Sequence, residues 1–125
     1  MKNLTELEKA YLISCDFSIK GFYENLWNAF YCANINQLKK IIDSILFTKM
    51  VFFEYEQLNA RTLTNINEYK KTYNIEDDKI FNILHNAYIM RCIIQADSDN
   101  LILFQLLYND LFIAAKNFYN NGINL

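Results

Sequence analysis

The chain has 125 residues, of which 53% are hydrophobic and 16% aromatic, and its formal net charge is −2. This length suits a single domain, residues 1–125, with its own core. Its basic residues form only two pairs, Lys39-Lys40 and Lys70-Lys71, which argues against a nucleic-acid-binding surface. The absence of proline and the presence of only two glycines favour long helices.

The rest of the composition is typical of biased codon usage. Lys outnumbers Arg ten to two, and Asn, Ile, Tyr and Phe are abundant. Because these residues have AT-rich codons, the sequence predicts an AT-rich genome, that of a bacterium, phage or other virus. Nucleotide bias then explains part of the missing proline, and helix formation explains the rest.

The cysteines argue against a disulfide framework and against zinc. Cys15, Cys32 and Cys92 are an odd number, contain no CxxC pair and have no partner histidines. No signal-peptide pattern opens the sequence, and the apolar run 101–115 is short of the roughly 20 residues that span a membrane. We therefore expect a cytoplasmic protein that binds no membrane and no metal.

Three helices are predicted in the first half of the chain. The stretch TELE, residues 5–8, fits a capping box that opens a helix ending near Ser14. A second helix begins at Asp16 or Ser18 and continues to Ala33. Either Gly21 marks a kink in it, or the first and second helices form one bent helix. Asn34 with Gln37 forms another cap of this kind, which opens a third helix reaching about residue 59.

The second half predicts two further helices after a polar segment. Residues 60–74 are rich in Thr and Asn, and we interpret them as a loop around a short helical piece. The next helix covers 76–95, with three acidic residues at its positive end. A last helix follows a cap at Asp97 or Ser98 and ends at Gly122. The whole pattern predicts an all-α, antiparallel bundle of four to five helices.

The last predicted helix is apolar on almost every side. Leu101, Phe104 and Leu111 share one face, whereas Leu103 and Leu107 lie on the other. A helix of this kind is buried from several directions. We therefore expect it either at the centre of the bundle or in an interface between two subunits, with Leu103 and Leu107 as interface residues.

The third predicted helix also has two apolar faces. Beside a stripe of Leu38, Ile41, Ile42 and Ile45, a second apolar face lies nearly opposite. Either the 60–74 segment folds over this second face, or another molecule covers it. We favour a protein partner or a second copy of the chain, bound through Phe47, Val51, Tyr55 and Leu58.

Arg91 and His85 are the candidate ligand-binding residues. Arg91 falls on the apolar face of the 76–95 helix, where a charge needs a carboxylate or an anion. It is therefore either part of a structural pair, or snorkels to the edge, or binds an acidic ligand. His85 is the only histidine, and no ligand spacing for a metal accompanies it, so an ordinary hydrogen-bonded role is the simpler interpretation.

These features together predict a non-enzymatic interaction protein of the adaptor, chaperone, inhibitor or immunity type. It would bind a protein partner or form a homodimer through apolar helix faces, with no cofactor. The alternative is a sensor-type helical domain that encloses a small apolar or acidic ligand, supported by the aromatic surplus and Arg91. An enzyme would require a polar constellation that one histidine and scattered carboxylates do not form.

Overall fold

The computed structural model describes residues 3–16, 34–43, 66–96 and 98–123. All regular secondary structure in these ranges is helical, which confirms the all-α prediction. None of the described helices is long and apolar enough to cross a membrane. The predicted second helix, 18–33, and the end of the third, 44–59, lie outside the described residues. The helices are α1 (Glu6–Ser14), α2 (Ile35–Asp43), α3 (Ile66–Tyr73), α4 (Ile80–Gln95), α5 (Ser98–Leu107) and α6 (Asn109–Asn121).

Both predicted capping boxes are present. The hydroxyl oxygen of Thr5 accepts a hydrogen bond from the Glu8 N–H at 3.1 Å, and the Glu8 carboxylate accepts one from the Thr5 N–H at 3.0 Å. At α2, the side-chain oxygen of Gln37 accepts a hydrogen bond from the Asn34 N–H at 2.9 Å, and the side-chain oxygen of Asn34 accepts one from the Gln37 N–H at 3.0 Å. Each box therefore satisfies two amide donors that the first turn of a helix leaves unpaired.

The polar segment before α4 contains a genuine helix, as expected. α3 ends in a left-handed residue, Asn74, with φ of 52°. The N–H of Ile75 donates to the carbonyl of Lys70 at 2.9 Å, the backbone pattern of a Schellman helix end. The Tyr69 side chain is fully buried, so α3 is fixed to the core.

The start of α4 differs from the prediction. The helix begins at Ile80, and the three acidic residues 76–78 form the turn that precedes it. The N–H of Lys79 donates to the carbonyl of Glu76 at 3.0 Å within this turn. Acidic residues are favourable both in an isolated turn and in the first turn of a helix. The sequence alone therefore placed the start of α4 a few residues too early.

α4 is the central helix of the described core, whereas we expected the C-terminal helix either in that position or in an interface between two subunits. It packs most extensively against α1, and α6 packs against both. α2 packs against α5, which in turn packs against α6. Nine residues of α4 are buried: Ile80, Ile83, Leu84, Ala87, Tyr88, Ile89, Met90, Cys92 and Ile93.

The last predicted helix is divided in two. Tyr108 has φ of −133° and ψ of 54°, which ends α5 and begins α6 at a bend. The Tyr108 N–H still donates to the Phe104 carbonyl, and the Phe112 N–H donates to the Tyr108 carbonyl, both at 2.8 Å. Phe104 on α5 and Leu111 on α6 are both buried, so the two helices contribute to one core on either side of the bend. The predicted helix end at Gly122 is confirmed, with φ of 73°.

Candidate functional site

A cleft lies where the end of α4 meets the start of α5 and the second half of α6. Its volume is about 260 Å³. Leu101 on α5 and Ala115 on α6 lie on either side of the bend at Tyr108 and share this cleft, although 14 positions separate them. The cleft is lined by Ile93, Ile94, Ala96, Leu101, Ala115, Lys116 and Tyr119.

The base of the cleft is apolar and its rim is polar. Ile93 and Ala115 are buried, whereas Lys116 and Tyr119 are exposed at the open side. The Lys116 ammonium lies 5.8 Å from the centre of the Phe112 ring, within range of a cation–π contact. The arrangement therefore combines a small apolar recess with one cation and one exposed aromatic ring.

An exposed apolar pair lies on α5, next to this cleft. Ile102 and Leu106 are 56% and 66% exposed, and because they are four residues apart they lie on one side of the helix. Ile113 on α6 is 49% exposed. Two helices that together bury Phe104, Leu111 and Ala115 thus also present large aliphatic side chains outward.

The predicted interface residues fall in two groups. Leu103 and Leu107 are half-buried and pack against the core cluster, so they are less accessible than their neighbours Ile102 and Leu106. The group at Phe47, Val51, Tyr55 and Leu58 lies outside the described residues. Leu106 and Leu107 are consecutive leucines of α5, and the core packing of the helix leaves Leu106 exposed and Leu107 half-buried.

Arg91 is half-buried and makes a polar contact along its own helix. With the Gln95 amide oriented so that its oxygen faces the guanidinium, Nη2 and Nε of Arg91 lie 2.6 and 3.2 Å from that oxygen. The positive charge also acts on Tyr11 and Cys15 of the neighbouring helix end. Arg91 therefore faces the junction of α1 and α4, and it does not line the cleft.

The thiol beside Arg91 is not activated. Burial raises the pKa of Cys15, and the charge of Arg91 opposes this shift without reversing it. Burial likewise raises the pKa of Tyr11 and that of Tyr73. The Cys15 thiol donates to the Tyr11 carbonyl at 3.4 Å. At the ordinary pH of a cell, this cluster of hydroxyl and thiol groups is therefore neutral.

Cys92 and His85, the other candidate groups of α4, are not placed in an activated or metal-binding site among the described residues. Cys92 is buried, and burial raises the pKa of its thiol far above the ordinary value, although Tyr88 and Arg91 oppose the shift. His85 is half-buried on the same helix. Among the described residues, no three His, Cys, Asp or Glu side chains are placed to hold a metal ion.

No protein-family model, curated protein or solved structure matches this chain. Its function is therefore inferred from the two surfaces described above, the α5 pair and the cleft.

Proposed function

We propose that this chain is a non-enzymatic interaction protein that binds another protein, or a second copy of itself, through apolar helix surfaces. One observation carries the proposal: Ile102 and Leu106 are exposed side by side on α5, a helix whose Phe104 is fully buried. The described residues form six helices, more than the four to five expected, and we propose that they pack as an antiparallel bundle with α5 at its surface.

Leaving the Ile102 and Leu106 side chains in water costs free energy that a binding partner would recover. Burying a Leu or Ile side chain stabilises a protein by about 1.5–3 kcal/mol. Scattered exposed apolar residues are common on soluble proteins, but two on successive turns of one helix form a denser group. Such a group supports a binding surface, because large apolar side chains at the centre of an interface exclude water from it.

The free cysteines and the small net charge fit a cytoplasmic protein that binds other proteins. Cys15 and Cys92 are free thiols, as in most proteins of the reducing cytoplasm. We propose a cytoplasmic homodimer from an AT-rich bacterium or virus, with no cofactor and no enzymatic activity. The formal charge of −2 spread over the sequence also favours a protein partner over nucleic acid.

Enclosure of a small ligand has less support than protein binding. The cleft of about 260 Å³ is below the roughly 300–1,000 Å³ that is usual for small-molecule sites. It is open on the side of Lys116 and Tyr119, and Arg91 lies outside it. Neither the cleft nor the surroundings of Arg91 therefore provide the enclosed site that the sensor-type alternative needs.

The proposal is tested by the molar mass of the purified protein in solution, measured by light scattering across a dilution series. Self-binding predicts a mass that approaches twice the chain mass at high concentration and falls on dilution. A mass equal to one chain at every concentration would exclude self-binding. The partner would then be a different protein, and the test of the cleft given below would examine that possibility.

A further inference from the structure

We propose that the cleft between α4, α5 and α6 receives one large apolar side chain of a partner protein, while Lys116 binds a carboxylate of the same partner segment. This inference rests on the proposed function and names the chemistry of its partner. The cleft and the cation adjoin each other on α6, where Ala115 and Lys116 are consecutive residues.

The size of the cleft favours a single side chain over a free small molecule. A volume of about 260 Å³ accommodates one aromatic or branched aliphatic group, and the open side leaves room for the backbone that carries it. Enclosed sites for free ligands are commonly larger and cover most of the ligand surface. A shallow pocket that holds one anchor side chain is instead typical of protein interfaces.

The lining of the cleft favours an apolar anchor. Ile93, Ile94, Leu101 and Ala115 supply aliphatic walls, and the exposed Tyr119 ring stands at the edge. Tyrosine is enriched at the centre of interfaces because it combines a large apolar surface with a hydroxyl group. An anchor inserted beside Tyr119 would bury part of this ring together with the aliphatic walls.

The charge at the rim favours an acidic neighbour of that anchor. Among the described residues the ion pairs involve Lys39, Lys70 and Lys79, and Lys116 is not a member of them. Its ammonium lies over the Phe112 ring, 5.8 Å from the ring centre. Complementary charge at the rim of an interface increases both the specificity and the rate of association.

The test uses N-acetylphenylalanine, which combines an aromatic side chain with a carboxylate, added to the ¹⁵N-labelled full chain. We expect saturable shifts of the amide signals of Ile94, Ala96, Leu101 and Ala115, with a dissociation constant of about 1 mM or weaker. N-acetylphenylalanine amide, which lacks the charge, should bind about threefold more weakly. N-acetylalanine, which lacks the anchor, should produce no saturable shift at these residues.

Two pairs of variants separate the anchor from the charge. Ala96 has extended backbone after α4, so Ala96→Phe can fill the cleft without disturbing a helix, whereas the matched Ala96→Ser leaves it open. Lys116→Met removes the cation but keeps an apolar stem, Lys116→Arg restores the charge, and Lys71→Met is the control on α3. We expect Ala96→Phe to abolish binding, and Lys116→Met to weaken the acid about threefold while leaving the neutral amide unchanged.

The proposal is overturned if N-acetylphenylalanine moves none of the cleft amides, or if Ala96→Phe binds it as well as Ala96→Ser does. The role of Lys116 is overturned if N-acetylphenylalanine binds Lys116→Met as tightly as it binds the original chain. These outcomes are independent of the dilution series. If the chain associates with itself but does not bind N-acetylphenylalanine, only the cleft proposal is contradicted. If the chain is a monomer that binds N-acetylphenylalanine, only self-binding is contradicted.

Discussion

Glu6 and Lys79 form an ion pair, with 2.8 Å between the carboxylate Oε1 and the ammonium nitrogen, although 73 positions separate them in the sequence. The pair lies at the start of both α1 and α4. At the other ends of these helices, Cys15 lies near Arg91. α1 and α4 therefore run side by side in the same direction.

This ion pair makes a prediction about the titration of Glu6. The hydrogen bond from Lys79, and then its charge, lower the pKa of Glu6 below its ordinary value. Lys79→Met should therefore raise the pKa of Glu6 toward that value, as measured by NMR titration of its side-chain carbon. Lys71→Met, which removes an exposed lysine of α3, is the control.

The sign of the accompanying stability effect follows from linkage. Because the pKa of Glu6 is lowered in the folded protein, its contribution is present above the unfolded pKa and is lost as the pH falls through the folded pKa. Both side chains are about half exposed, so the effect should be small and should weaken with salt. A Glu6 titration that is identical in Lys79→Met and the original chain would contradict the pairing.

The capping box of α1 predicts a measurable loss of stability. Thr5→Ala removes the hydroxyl that accepts the Glu8 N–H, and we expect it to lower the free energy of unfolding by about 1 kcal/mol. Thr72→Ala makes the same chemical change at an exposed position of α3 and should have a much smaller effect. Urea denaturation of the three proteins provides the comparison, and equal midpoints would argue against the cap.

The core position of Phe104 predicts a large effect of its truncation. Its side chain is fully buried, so Phe104→Ala should cost about 3–5 kcal/mol of unfolding free energy. Phe81→Ala removes the same side chain where it is 55% exposed, and should cost less than about 1 kcal/mol. Similar losses at the two positions, measured by thermal or urea denaturation, would show that α5 is not packed as described.

Tyr108 predicts a pH dependence at the alkaline end. Burial, with a smaller contribution from the charge of Asp43, raises the pKa of Tyr108 to about 12. A group with a raised acid pKa stabilises the folded state below its unfolded pKa, and this contribution is lost as the pH rises through the folded pKa. Stability that depends on Tyr108 should therefore fall between about pH 10 and pH 12, and Tyr108→Phe should remove this dependence.

The contribution of Asp43 can be separated from that of burial. Asp43→Asn should lower the pKa of Tyr108 only in part, because burial is the larger cause, and Asp99→Asn is the matched control. Ultraviolet titration of the tyrosinates in each variant, with Tyr108→Phe to assign the signal, measures the difference. An unchanged Tyr108 titration in Asp43→Asn would contradict the approach of α2 to the bend.

Features encoded by neighbouring residues could be predicted from the sequence. The boxes at Thr5 and Asn34 and the end at Gly122 require only residues up to four positions apart, so the sequence contains all the information they need. The all-α class likewise follows from helix-favouring composition and the 3.6-residue pattern of apolar residues.

Features that depend on tertiary packing were not predictable. Nothing local to Tyr108 marks a helix break, because no proline or glycine lies nearby in the sequence. Similarly, Ile102 and Leu103 are apolar neighbours, and the packing of α5 in the folded chain leaves Ile102 exposed and Leu103 half-buried. The cleft requires three helices, and no motif in the sequence indicates it.

The most direct test of the central claim compares Leu106→Lys with Gln105→Lys. Both substitutions place a lysine at an exposed position of α5, but only the first interrupts the apolar pair. At a concentration where the original chain associates, light scattering should give a single-chain mass for Leu106→Lys and the associated mass for Gln105→Lys. Equal masses for the two variants would contradict the assignment of the α5 surface as the binding site.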